Sequence, residues 1–233
     1  MLKKTRGIVI SYTRYSETSI IVKIFTEVMG MKTYIVNGVR STKNGSKIAL
    51  YQPLTLLDLV VYYKKEHTGI QRISEARCQV PYQHIPFDFQ KSTMALFIAE
   101  ILGKALRDEE QNQLLFDFLF QTLVWFDDNQ ENYHSFHLQF LAKIPRFIGF
   151  DPMSAEVLLA QIEEHKPLRF PPSLLPQIKQ EINQLLASNF EEIIQVSPNI
   201  RGYIIDLFLE YYRVHTAGFG EVKSLTVLRE MMR

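Results

Sequence analysis

Cysteine is almost absent: one, Cys78, in 233 residues. That excludes an intramolecular disulfide framework and any multi-cysteine zinc module, and it fits a reducing compartment. Glycine and proline are scarce, ten each, which rules out collagen-like and low-complexity classes. No apolar run is long. The richest segment, 114–126, is too short to span a bilayer and is interrupted by Asp117, Gln121 and Thr122. The charged start, Met1-Leu-Lys-Lys-Thr-Arg-Gly, is not followed by a signal-peptide apolar stretch. These absences predict a soluble, cytoplasmic protein with no membrane partner. What is present, 46% apolar residues, is enough for a sizeable core in one or two domains.

The net charge of +1 conceals a division. Residues 1–80 hold thirteen Lys+Arg and five Asp+Glu, a balance of +8, whereas residues 81–233 carry −7. Such asymmetry predicts that the first part meets a polyanion. The bland alternative is a solvated basic face.

Two periodicities divide the chain at the same place. Alternating β-branched and aromatic residues predict strands over 5–15, 18–26, 31–36, 53–63 and 71–80. Residues 40–46, Arg-Ser-Thr-Lys-Asn-Gly-Ser, read as a polar basic loop with a turn at Asn44-Gly45. Five strands with a longer break after the third match a small closed barrel such as an OB-fold; an SH3-like barrel gives nearly the same pattern. After Pro81 the period becomes helical. Helices are predicted over 92–107, 114–126 (the buried centre of a bundle), 136–147, 174–187 and 200–214, with a short terminal helix capped by Ser224. Lys166-Pro-Leu-Arg-Phe-Pro-Pro reads as an extended loop. The expected fold is therefore α+β: an N-terminal five-stranded OB-fold β-barrel over 1–80, followed by an all-α helical bundle domain over 81–233.

Little points to catalysis. The clusters Asp108-Glu109-Glu110 and Asp127-Asp128 read as caps and solvated surface. His134 and His137 share the spacing of some zinc ligands, but without a placed third ligand they read as surface or packed histidines. Cys78, in a strand pattern, reads as a small buried hydrophobe. There is no Gly-rich phosphate loop, nucleophile elbow or metalloprotease helix motif. No catalytic residue, metal site or cofactor is expected. The barrel is more informative. Arg14, Lys32, Arg40, Lys43, Lys47 and Arg72 are candidates to neutralise phosphates, and Tyr12, Tyr15, Tyr34, Tyr62 and Tyr63 are interleaved with them. Cations with aromatic faces make a surface that binds single strands without choosing a sequence. For Tyr34 and Tyr62 the core of the barrel is the expected place.

Tyr15-Ser-Glu-Thr-Ser-Ile at 15–20, Phe25-Thr-Glu-Val-Met-Gly at 25–30, Asn37-Gly-Val-Arg-Ser at 37–41 and Gln52-Pro-Leu-Thr at 52–55 follow one another in the order that resembles the recombination mediator RecO family. Leu96-Phe-Ile-Ala-Glu-Ile-Leu, Phe136-His-Leu-Gln-Phe-Leu through Gly149-Phe150, and Lys223-Ser-Leu continue the resemblance. It implies a non-enzymatic DNA-repair protein that binds single- and double-stranded DNA, anneals strands without ATP, contacts single-stranded DNA-binding protein, and works with RecR to load RecA at the nucleoid. Many members carry a four-cysteine zinc module after the position of Gly149-Phe150; residues 151–175 here have no cysteine. The single-stranded DNA-binding protein ends in an acidic, apolar-ended tail, for which two helices offer a shallow gap. Phe97, Ile101, Phe140 and Ile144 would be its walls, and Lys104, Arg107, Lys143 and Arg146 its basic rim. The competing readings are a scaffold whose basic barrel touches RNA or an acidic protein and, more remotely, a metal-dependent nuclease using the acidic clusters.

Overall fold

Alternation produces five strands: β1 (Leu2–Arg14), β2 (Ile20–Thr26), β3 (Gly30–Val36), β4 (Leu56–Tyr62) and β5 (Gln71–Val80). The computed structural model describes residues 1–39, 47–63, 69–131, 133–192 and 194–232. The strands close into a barrel in the order β1-β2-β3-β5-β4. All neighbours are antiparallel except β3 and β5, which meet in parallel at only two positions, Tyr34–Gln71 and Ile35–Arg72. This is the expected OB-fold arrangement. Val9, Ile20, Val22, Ile24, Tyr34, Leu57, Leu59 and Val61 fill the interior. A 3-10 helix, Lys47–Tyr51, lies between β3 and β4.

Two helices complete this unit: α1 (Phe89–Ala105), capped by the Asp88 carboxylate at the Gln90 and Lys91 N–H groups, and α2 (Gln113–Asp128). The sheet ends at Val80, where the sequence places a boundary, but the compact unit runs from Met1 to Asp128. The reason is on the outer face of the barrel. Ile8, Ile10 and Phe25 are buried there, and Phe25 packs its ring 6.1 Å from that of Phe116 on α2. Gly103 lets α1 approach Ile10, whose Cγ2 would lie 3.1 Å from a Cβ at that position. The loop after α1 seats on the β2–β3 turn. Gly30 has φ +66°, and a Cβ there would collide with the carbonyl oxygens of Glu109 and Glu110, while the Met31 N–H donates to Glu109 O at 2.9 Å. The helix read as the centre of a bundle, α2, thus lies on the barrel, with Leu114 left exposed.

The unit Asn129–Arg233 contains α3 (Phe136–Phe147), α4 (Ala155–Glu163), α5 (Leu175–Ala187), α6 (Pro198–His215) and α7 (Leu225–Met231). Its core gathers Phe136, Phe140, Ile144, Leu158, Ile182 and Phe208, and Tyr212 donates to Leu141 O at 3.2 Å. α3 runs through Pro145 and stops just after it. Ser224 stands at the N-cap position of α7 without a side-chain cap bond to it. α4, unforeseen in the sequence, occupies part of the cysteine-free stretch and buries Ala155, Leu158, Leu159 and Ile162. Among the described residues no helix is long and apolar enough to cross a membrane.

Candidate nucleic-acid interface

The pairing of the strands decides which charges meet. Arg14 stands opposite Ile20, which stands opposite Val36, at one end of the barrel. One step inward, Ile35 pairs with Arg72 and Arg72 with Tyr62. Beyond those two rungs β3 and β5 diverge, and a cleft of about 460 Å³ opens, with Lys47, Arg72, Glu75 and Arg77 on its walls; Arg77 has Glu75 at 3.9 Å and stands across the ladder from Asp58. Asn37, also on the wall, is bonded to Ser19 Oγ at 3.0 Å, and Ser19 O accepts the Tyr15 N–H at 3.1 Å. The Arg14–Tyr15 corner therefore borders the cleft.

Two tyrosines face solvent at this end, Tyr15 (62% exposed) and Tyr62 (53%), and each has an arginine beside it: Arg14 in sequence, Arg72 across the ladder. Tyr34 is fully buried and Tyr12 packs partly against the core. Burial drives the Tyr34 phenol well above its usual range. Tyr63 is half-buried with the Lys3 ammonium 4.9 Å from its ring centre. Tyr62 corrects the expectation that it is core, because Val61 takes the inward position at that step of β4.

Lys47 and Arg72 line one cleft, and Arg14 stands at the same end of the barrel, across β2 and β3 from Arg72. Lys32 is not among them: it pairs with Ile24, four residues along β3 from Val36, roughly 13 Å away. It lines a second cleft of about 400 Å³ with Lys23 and Arg107, faced by Asp108, Glu109 and Glu110. Arg40 and Lys43 lie outside the described residues. Arg77 was not singled out in the sequence. Five residues after Arg72, it belongs on the opposite face of a regular strand, but a bulge between Ile73 and Glu75 brings it back to the same side.

Arg6 contributes no free charge. Its guanidinium bonds Glu27 at 2.9 and 2.8 Å and Asp117 at 3.0 Å, and lies over the rings of Phe116 and Phe120 at 5.0 and 5.1 Å. The Glu27 bond raises the Arg6 pKa, and the same bond lowers that of Glu27.

The remaining candidates are accounted for by structure. Phe97, Ile101, Phe140 and Ile144 are wholly enclosed and present no wall to solvent. Lys104 pairs with Glu100 at 3.7 Å, and Lys143 donates to Leu186 O at 2.6 Å. Arg107, in the first unit, and Arg146, in the second, are exposed. His134 is exposed beside Tyr133, whereas His137 is fully buried, its pKa lowered to about 3 by burial and then by Arg201. Asp127 accepts the N–H groups of Gln83, His84 and Ile85 at 2.6 to 2.9 Å, a cap for that turn. Cys78 corrects its expectation: it is exposed on β5. Among the described residues no group of three or more His, Cys, Asp or Glu is placed to hold a metal ion.

Residues 1–82 match the family described as recombination protein O N terminal, and residues 86–156 match recombination protein O C terminal. Relatives of the whole chain include the DNA repair protein RecO of Bacteroides fragilis, 34% identical over 99% of each chain, and that of Flavobacterium johnsoniae, 32% identical over 98% of each.

Proposed function

The chain belongs to the recombination protein O family of DNA repair, and from that membership we propose that its barrel is the surface on which DNA strands are bound and annealed. Arg14, Lys47 and Arg72 neutralise phosphates along the divergent end of the barrel, while Tyr15 and Tyr62 offer faces to bases without selecting among them. Screening two phosphate backbones while leaving base edges free allows complementary strands, and duplex, to be held without ATP, a metal or a broken bond. Arg40 and Lys43 belong to the same reading by sequence, and Lys32 serves a phosphate farther along the barrel. The single observation that carries the proposal is the exposed Tyr62 set across the ladder from Arg72, which lines one cleft with Lys47.

The wider role follows the family. In the cytoplasm, at the nucleoid, the protein meets strands coated by single-stranded DNA-binding protein and, with RecR, prepares them for RecA. With the apolar walls enclosed, the exposed cations that remain of that expectation, Arg107 in the first unit and Arg146 in the second, are separate candidates to meet that coat protein's acidic tail.

Binding of a labelled single-stranded DNA across a salt series tests the core of this reading. Changing Arg14, Lys47 and Arg72 together to Glu removes roughly three phosphate contacts, so the log–log salt slope falls by about 2, equally for all base sequences. An unchanged slope in the folded variant overturns it. An RNA strand of the same sequence, bound far more tightly than DNA, redirects the site to RNA.

A further inference from the structure

Away from the barrel end, at the start of α1, Phe87 is 84% exposed, Phe89 69% and Leu96 53%. Phe89 and Leu96 are seven residues apart, two helical turns, and share a face over about 10 Å. Phe87 stands one residue ahead of the Asp88 cap. Nearly all else on the first three turns of α1 is taken by the core, from Lys91 and Thr93 to Phe97 and Ile98, so this stripe is what the fold leaves outside. Apolar side chains scattered singly need no explanation, but two adjoining phenylalanines continued by a leucine form a patch of the kind that marks an interaction site.

The surroundings are acidic. Asp88 caps α1, Asp127 and Asp128 end α2, and all three act on one cation, Lys91. That ammonium is enclosed, donating to Phe126 O at 2.9 Å and Asp127 O at 2.7 Å. One lysine among three carboxylates leaves a formal balance of −2; Asp127 is buried on the Gln83–Ile85 amides, Asp88 is half-buried, and Asp128 is exposed beside the patch's helix start as the surface charge. Phosphates and acidic tails are repelled from such a place; lysines and arginines are drawn to it.

We propose that Phe87, Phe89 and Leu96 form a docking surface for a protein partner that presents an apolar stripe flanked by Lys or Arg. The patch lies apart from the cations assigned to DNA and stands or falls separately from that assignment. Aromatic anchors with a charged border are the usual centre of such contacts.

The full chain is titrated, by fluorescence anisotropy, into a labelled amphipathic helical peptide with Leu at i, i+4 and i+7 and Lys on either side, and into a twin with Glu in place of Lys. The Lys peptide binds the wild type at least tenfold more tightly than the Glu twin. Phe87→Ser/Phe89→Ser/Leu96→Ser costs tenfold or more, and Asp128→Lys several-fold. The three side chains are exposed, so the melting temperature of the triple variant stays within a few degrees. Should it fail to fold, Phe87→Ser and Asp128→Lys singly carry the test. The proposal is overturned if the Lys peptide does not bind, if the twins bind alike, or if the variants bind as the wild type does. It is overturned equally if sedimentation shows a self-association that the triple variant abolishes, which assigns the patch to a second copy. A single-stranded oligonucleotide that loses affinity with the triple variant assigns it to nucleic acid and has the same force.

Discussion

Two surfaces of one barrel carry arginines in similar number and differ in what the arginines are free to do. On the outer face of β1, β4 and β5, Lys4, Arg6 and Arg77 are interleaved with Glu27, Asp58 and Glu75. The ladder sets Arg6 against Asp58 and Asp58 against Arg77, with Glu75 opposite Val60. At the divergent end, Arg14, Lys47 and Arg72 have no ion-pair partner among the described residues, and tyrosines lie beside them. Cation count does not make an interface; the register of carboxylates relative to cations does. The same lesson applies to the +8 excess of residues 1–80. Over the compact unit Met1–Asp128 the balance falls to +3, because α1, α2 and their loops bring eight acidic residues and three basic ones. The unit hides much of its charge inside itself and leaves one end uncompensated.

The widest separation between the two surfaces should appear in binding. Arg14→Glu/Lys47→Glu/Arg72→Glu lowers affinity for single-stranded DNA by about a hundredfold at moderate salt, whereas Arg6→Ala changes it by less than about twofold. Equal losses would mean that the Arg6 face also binds. Stability shows the reverse order. Arg6→Ala leaves Glu27 and Asp117 without their shared cation and bares two aromatic rings, at a cost of about 2 kcal/mol in urea unfolding; the triple change, made at exposed positions, costs about 0.5 kcal/mol or less.

A control comes from the other unit, where pH should act without DNA. Burial and Arg201 hold the His137 imidazole at about 3, against about 6.5 in the unfolded chain. Between those values the unfolded state takes up the proton and the folded state does not. Stability from this group is thus full above about 6.5 and lost as pH falls, by about 2 kcal/mol at pH 5. His137→Asn should flatten that part of the profile; a slope that persists would place its origin elsewhere. The smallest effect sharpens the contrast most directly. Asp58→Asn/Glu75→Gln unmasks Lys4 and Arg77, and DNA affinity should rise about threefold, with a steeper salt dependence. No gain would mean that the outer face is closed to DNA by shape rather than by charge.

Much of this was legible in the sequence, for reasons that can be traced. Strand alternation around Val22 and Ile24 and the helical spacing from Phe136 to Phe147 report one-sided burial, which is a local property. Legibility ended where a partner far along the chain decides the outcome. Nothing near Arg6 announces Asp117, 111 residues away. Phe97, Ile101, Phe140 and Ile144 mark apolar faces, but periodicity does not tell a groove wall from a core residue, and all four are core. The bulge that returns Arg77 to the face of Arg72 breaks the very alternation by which faces are assigned. α4 was hidden by its setting: nine residues between Asp151-Pro152 and a proline-rich loop. The arginine–tyrosine pairing at the barrel end needed the ladder, since Tyr62 and Arg72 are neighbours only across β4 and β5.

The seat that the β2–β3 turn makes for the loop after α1 bears on how the chain is made. Synthesised from its N-terminus, the hairpin emerges long before Glu109 and Glu110, and until the later segments arrive the Met31 N–H and the outer face of Phe25 have only water to meet, and Arg6 has only Glu27. The barrel is therefore not a finished object at Val80. Its last fittings are delivered some thirty to forty residues later, and a nascent chain stalled before Asp117 would display on the ribosome an apolar sheet face that the completed protein never shows.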